Sequence, residues 1–316
     1  MLKYIGRRLL MTFPTLVGMS MLIFLMIRLV PADYVTLVYG ADETIPQVMR
    51  DALRHRLGLD QPIHLQYVTW LGDVAKGDFG YSFRGRKPVG EDLLRRLPVT
   101  VELALLSIVI GVVVAVPLGV ISALKQNTQT DFWVRVVSLI GVSMPSFWMA
   151  VLLLLLTSVV LKMRIPIMWA NPLQDPVSNL QIMLLPALAV SANLMGSIAR
   201  YTRSGMLEVM RQDYVRTARA KGLKERGVVF RHALKNAFVP VVTVIGLQLG
   251  ALLGGTVIIE QIFGLPGIGW LMIQAISQRD YPVVQSTVLF IAAVSITVNL
   301  LVDVMYVYLD PRIRYS

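Results

Sequence analysis

Six stretches of this chain are apolar for long enough to fill the hydrocarbon depth of a bilayer, and no other feature restricts its fold so strongly. A helix rising 1.5 Å per residue needs about 20 apolar residues to cross roughly 30 Å. Runs near that length cover residues 9–27, 101–124, 136–161, 182–199, 238–259 and 283–302. A soluble domain of 316 residues has no use for so many, and the 55% hydrophobic and 16% charged content agrees. The expected architecture is all-α and polytopic, with six transmembrane helices in one domain spanning residues 1–316. The fourth run is the least apolar, carrying Ser191 and Asn193, yet it holds no charge.

The start, MLKYIGRRLL, has the basic opening of a signal peptide. The apolar run behind it is longer than a signal core and lacks a small-x-small cleavage site, so it reads as a retained first span.

Six spans put both termini on one side, and lysine and arginine choose the side. With the termini inside, the inner segments carry 17 of these residues and the outer segments 13. Ten of those 13 lie in residues 28–99, a segment long enough to translocate regardless of its charge. The termini are therefore expected in the cytoplasm. The net charge of +11 follows this membrane asymmetry and does not point to nucleic acid.

The outer segment, residues 31–99, carries two amphipathic helical patterns. Thr44 is positioned to cap one, which ends at Gly58; Asp60 is positioned to cap another, with Ile63, Tyr67, Trp70 and Val74 on one face and Gly77 at its end. The segment serves as a packed cap, as a docking surface for a soluble partner, or as both.

The inner loop, residues 204–236, mixes basic and apolar residues in a way that suits short amphipathic helices. Within it the stretch DYVRTARAKGL at 213–223 places Thr217, Ala218 and Ala220 just before Gly222. Small side chains let a helix seat in a groove, and glycine permits the left-handed turn that ends it. From residue chemistry alone, a solvated basic loop fixed by topology explains the pattern equally well.

That stretch resembles the "EAA" coupling loop of binding-protein-dependent ATP-binding-cassette importers, with Arg216-Thr217-Ala218 at the triplet and Gly222 at the glycine. Arg216 and Thr217 depart from the first two letters, and 14 residues (223–236) separate Gly222 from Ala237, more than the general pattern has. Both departures are similar to the dipeptide, oligopeptide and nickel branch. Further segments resemble that branch in order and spacing: LGLDQP at 57–62, GDFGYS at 77–82, SMPSFW at 143–148, RHALKN at 231–236, EQIFGLPG at 260–267, RDYP at 279–282 and NLLVD at 299–303.

The resemblance implies a type I importer permease fold in a bacterial inner membrane. It implies that residues 204–236 couple to a cytoplasmic ATPase through Tyr214, Arg216, Thr217, Ala218, Lys221 and Gly222. The implied partners are a second homologous permease, two ATPase subunits that bind ATP and Mg, and an extracytoplasmic substrate-binding protein, with lipid around the spans. The implied cargo is dipeptides or short oligopeptides; nickel chelates, glutathione and opine-like solutes travel through similar permeases.

The alternatives come from other classes. An intramembrane enzyme needs a site, and the chain has no H-E-x-x-H, no cysteine, and only the scattered histidines His55, His64 and His232. A sensory membrane protein needs an appended signalling domain. No G-x-x-x-x-G-K-[ST] loop occurs, so no cofactor is expected in this chain and ATP hydrolysis belongs to a partner.

Ionisable residues in the spans are few. Glu102, Glu260 and Asp303 fall near span ends and read first as anchors or caps. The pathway candidates are Ser143, Ser146, Asn193, Gln248 and Asn299, although each can equally hydrogen-bond a neighbouring helix. Gly246, Gly250 and Gly254 form a stripe suited to close helix approach, with Gln248 on roughly the opposite face. Pro117, Pro145 and Pro186 are expected to kink their spans.

Overall fold

The structure is a computed structural model that describes residues 2–29, 47–56, 58–163 and 168–309. The predicted cap at Thr44 lies outside the described residues. Helix α1 (Leu2–Arg28) is followed by the short helices α2 (Gln47–Arg56) and α3 (Ile63–Ala75). A two-residue antiparallel ladder, β1 (Tyr81–Ser82) with β2 (Lys87–Pro88), leads into α4 (Val89–Leu124). Next come α5 (Gln129–Ser143) and α6 (Ser146–Leu155), the latter ending in a π-helical turn, Leu156–Val160. Helix α7 (Pro176–Val209) precedes the short α8 (Asp213–Ala220). A second π-helical stretch, Val228–Leu234, runs into α9 (Lys235–Gly255). The chain closes with α10 (Val257–Phe263), α11 (Ile268–Gln278) and α12 (Tyr281–Leu309).

The expected six spans fall within the range that the helices allow. Among the described residues five helices are long and apolar enough to cross a membrane, and two bent pairs raise the number to seven if each is one span. The predicted third span is one of these pairs: α5 and α6 meet at 105°. The cause is Pro145, which cannot donate to the carbonyl of Gly141 and forces the preceding residue out of helical geometry; Met144 is extended at ψ 126°. Pro117 and Pro186, by contrast, lie inside the uninterrupted helices α4 and α7.

The second pair, α10 and α11, bends by 85°. The predicted fifth span ran through Ile259, but α9 stops at Gly255 and Ile259 belongs to α10. The apolar run to Ile259 hid the end of α9, because hydropathy reports burial and not direction, while the corner itself lies beyond that run, between Phe263 and Ile268. At the N-terminal side, residues 89–99 form the first turns of α4, continuous with the span behind them. Asp60 does not cap α3: the helix starts after Pro62, whose carbonyl accepts from the Leu65 and Gln66 N–H groups, and Asp60 pairs instead with His55 Nδ1 at 3.1 Å. Gly58 and Gly77 do take the left-handed conformation, at φ 65° and 87°.

Helix α7 lies at the centre. Its least polar window is 61% buried, against 39% for α4 and 11% for α1. That explains why its run is the most polar of the six: its neighbours are protein, so Ser191 and Asn193 are satisfied inside the bundle. Asp175 caps its start, accepting from the Ser178 N–H at 3.1 Å, and Pro176 occupies the first helical position where a missing N–H costs nothing. Apolar burial alone gives helices no preference for one another over lipid, so close packing has to hold them. Along α4 the stripe Gly111, Ala115, Gly119 lies against Leu194, Ile198, Ala199 and Thr202 of α7; a Cβ on Gly119 would stand 2.7 Å from the Ala199 carbonyl oxygen.

Candidate functional site

Helix α8 is short but firmly seated. Val215 and Ala218 are buried against Val228, with Val209 and Met210 beside them. These two positions lie three apart and share one helix face. Ala218 therefore points into the chain's own bundle, and its small size serves that packing; the sequence reading had placed it in a partner's groove.

The face left open carries the other predicted residues. Arg216 is exposed and stands 3.6 Å from Asp213, itself exposed. The Thr217 hydroxyl donates back to the Asp213 carbonyl at 2.9 Å, and Lys221 is exposed. The Tyr214 hydroxyl accepts from Asn236 Nδ2 at 3.1 Å, which ties α8 to the start of α9. Arg219 forms a two-pronged pair with Glu225 at 2.7 and 3.2 Å, and that carboxylate raises the guanidinium's pKa above its usual value.

The end of α8 is a Schellman turn. The Leu223 N–H reaches the Ala218 carbonyl at 3.4 Å and the Gly222 N–H reaches that of Arg219 at 2.9 Å, with Gly222 at φ 75°. The glycine is thus required by backbone geometry, while a Cβ there would meet nothing within 4 Å. The helix itself occupies only 213–220, since α7 extends to Val209 and the π-helical stretch covers 228–234.

The pathway candidates do not gather at one place. Asn193 Nδ2 donates to the Val142 carbonyl at 3.0 Å, satisfying one of the acceptors orphaned where α5 ends. Next to it α5 and α7 touch backbone to backbone: a Cβ on Gly196 would meet the Ser138 carbonyl oxygen, and one on Gly141 would stand 2.7 Å from that of Ala192. Ser143 and Ser146 flank the bend itself, the first exposed and the second half-buried. Asn299 of α12 packs onto Gly250 of α9, filling the room its missing side chain leaves, while Gly254 faces open space. Gln248 is half-buried on α9.

Three polar clusters were only partly foreseen. Asp131, fully buried in the first turn of α5, takes Arg203 of α7 in a bidentate pair at 2.7 and 2.8 Å. It also accepts from the Ser122 hydroxyl and, at 3.0 Å, from the Asn127 N–H. Neither residue stands out in the sequence, because each lies just outside an apolar run, where charge is ordinary.

Glu260, also fully buried, accepts from the Thr100 hydroxyl at 2.8 Å, the Thr256 hydroxyl at 3.2 Å and the Trp270 N–H at 3.0 Å. Trp270 lies in the first turn of α11, so the carboxylate caps that helix across the corner. Gly267 and Gly269 leave the room it needs. The third cluster joins Arg8 of α1 to Asp303 of α12 at 2.8 Å, which brings the first turns of the chain beside its last helix. Glu102 receives the Trp169 indole N–H at 3.2 Å. Among the described residues no three histidine, aspartate or glutamate side chains come together as a metal site.

Comparison with known proteins bears on what these parts serve. Residues 1–104 match the family model described as the N-terminal part of the binding-protein-dependent transport system membrane component, and residues 115–315 match the inner membrane component of the same systems. A di/tripeptide transport system permease protein of Pseudomonas aeruginosa is 43% identical, with the whole of both chains covered. An oligopeptide transport system permease of Bacillus subtilis and a glutathione transport system permease of Salmonella paratyphi A are each 39% identical, also over their full lengths. Among solved structures, a methionine ABC transporter in an inward-facing form aligns with TM-score 0.56 at 17% identity, covering 69% of this chain and 96% of that one. An amino acid ABC transporter aligns with TM-score 0.52 at 16% identity, covering 71% and 94%.

Proposed function

Because this chain belongs to the family of binding-protein-dependent transport system inner membrane components, we propose that it forms half of a pathway importing dipeptides or short oligopeptides. It is a multi-pass inner-membrane permease and not an enzyme. In this reading a second related permease completes the pathway, two ATPase subunits bind ATP and Mg, and an extracytoplasmic binding protein delivers cargo. The cargo assignment rests on the whole-length relatives named for di/tripeptide and oligopeptide transport.

The observation that carries the mechanism is the construction of α8. One face is anchored in the bundle by Val215 and Ala218; the opposite face presents Arg216, Thr217 and Lys221. A rod so divided can accept a push from outside and deliver it to the spans behind it. ATP-driven closure of the motor would open the pathway outward, and hydrolysis would reset it. The lysine and arginine asymmetry supports a cytoplasmic α8, and the Arg8–Asp303 pair supports a six-span count with both termini on that same side.

Gly222→Val tests this reading. A β-branched residue is strained at φ 75°, so the turn ending α8 should reorganise while the spans stay intact. The expected result is a permease that still reaches the membrane but loses ATPase co-purification and dipeptide uptake. Normal assembly with normal uptake would overturn the coupling role. The relative named for glutathione supports a second cargo, and parallel uptake of labelled dipeptide and labelled glutathione separates the two.

A further inference from the structure

At the end of the bundle opposite α8, the β1–β2 loop, the first turns of α4 and the α11–α12 corner enclose an open cleft of about 260 Å³. Its wall is charged, with Arg84, Lys87 and Arg96 set against Asp92 and Asp280. Both carboxylates are committed. Asp280, buried, accepts from the Ser82 hydroxyl at 2.7 Å and from the Arg84 and Phe83 N–H groups at 3.2 and 3.5 Å. Asp92, also buried, pairs with Lys87 Nζ at 2.7 Å.

Arg96 is the member left short. Its side chain is 19% exposed and stands 3.3 Å from the same Asp92 oxygen that Lys87 holds. Its Nε is held only by that long contact, and its Nη1 is buried with no acceptor. A guanidinium carries five donors in a planar fork suited to a two-oxygen acceptor, and buried donors without acceptors are costly. With three cations against two engaged carboxylates, the cleft lacks an anion.

We propose that this cleft binds a carboxylate, received by Arg96 after a small rotation of its guanidinium toward the opening, with Lys87 and Arg84 adding charge. A carboxylate matches the outer edge of the fork, Nη1 with Nη2, and supplies the unmet Nη1 donor while Nε stays beside Asp92. A cation is disfavoured because Arg84, Lys87 and Arg96 already line the cleft. The proposal goes beyond the transport reading, and its failure leaves the uptake and co-purification test of that reading unaffected.

The test uses the full-length chain purified with its partner subunits but without the binding protein, in phosphatidylcholine nanodiscs at low chloride. Acetate, dialanine, dialanine amide and inorganic phosphate are each titrated, with the midpoint of thermal unfolding as the readout. Acetate and dialanine should raise the midpoint saturably, and the amide should not. Arg96→Gln should weaken acetate binding at least about tenfold, the worth of one charge-assisted contact. Should Arg96→Gln fail to fold, Gln278→Glu decides: it adds a negative charge from an exposed position on the rim and should abolish acetate binding. A response to phosphate alone, equal binding of the amide, or unchanged acetate binding in Gln278→Glu would overturn the assignment.

Discussion

Replacing Asp131 with asparagine keeps the shape of the side chain and removes its charge, so it isolates what the buried pair contributes. In the native chain the carboxylate receives two N–H groups from Arg203, the Ser122 hydroxyl and the Asn127 N–H. An asparagine amide must turn its NH2 group toward one side of this ring, where only donors stand. Arg203, with 19% of its side chain exposed, is then left mostly buried without a counter-charge. Breaking a buried pair by removing one partner costs about 3–5 kcal/mol, and the partial exposure of Arg203 argues for the lower end. At 2–4 °C per kcal/mol, a loss of about 3 kcal/mol corresponds to a fall of roughly 6–12 °C in unfolding midpoint. Arg135 provides the control: it stands 3.6 Å from the same carboxylate but is 52% exposed, so Arg135→Gln should cost under about 1 kcal/mol. The double variant Asp131→Asn with Arg203→Gln should lose clearly less than the sum of the single losses, because no charge is stranded. Thermal unfolding of the purified variants in one detergent measures all four. Additive losses, or an Asp131→Asn midpoint equal to that of Arg135→Gln, would refute the reasoning.

Other outcomes follow from the same packing. Glu260→Gln should destabilise by about 1.5–3 kcal/mol, since an amide offers one acceptor oxygen where Thr100, Thr256 and Trp270 all donate; an unchanged melting midpoint would remove the carboxylate from its capping role. Gly196→Ala should cost about 1–3 kcal/mol or more by driving α5 from α7, whereas Gly254→Ala, facing open space, should be neutral or stabilising by up to about 1 kcal/mol through helix propensity. Equal effects of the two alanines in a melting experiment would contradict the close contact at Gly196.

Much of the architecture was legible in the sequence because lipid makes the relation between apolar length and helix nearly obligatory. The number of spans was less so. Hydropathy saw the run through Pro145 as one element and did not see the corner between α10 and α11, although EQIFGLPG carried the turn chemistry that makes it, with Gly264 at φ 66°. Of the glycine stripe at 246, 250 and 254, Gly250 is met closely by the Asn299 side chain, but helix backbones also approach closely outside it, at Gly119, Gly141 and Gly196. Spacing identifies a surface able to approach closely and says nothing of which helix will come. The α8 turn was readable down to Gly222, because a left-handed end has few chemical solutions. The inward aim of Ala218 was not, since it depends on Val228, which only the fold brings near.

Helix α7 runs 34 residues without interruption, about 51 Å, and Pro186 does not divide it. It shares surfaces with α4, α5, α6, α9 and α10, and α8 follows it after three residues. Under the proposed coupling role, a displacement entering at α8 would meet first the one helix that touches most of the bundle.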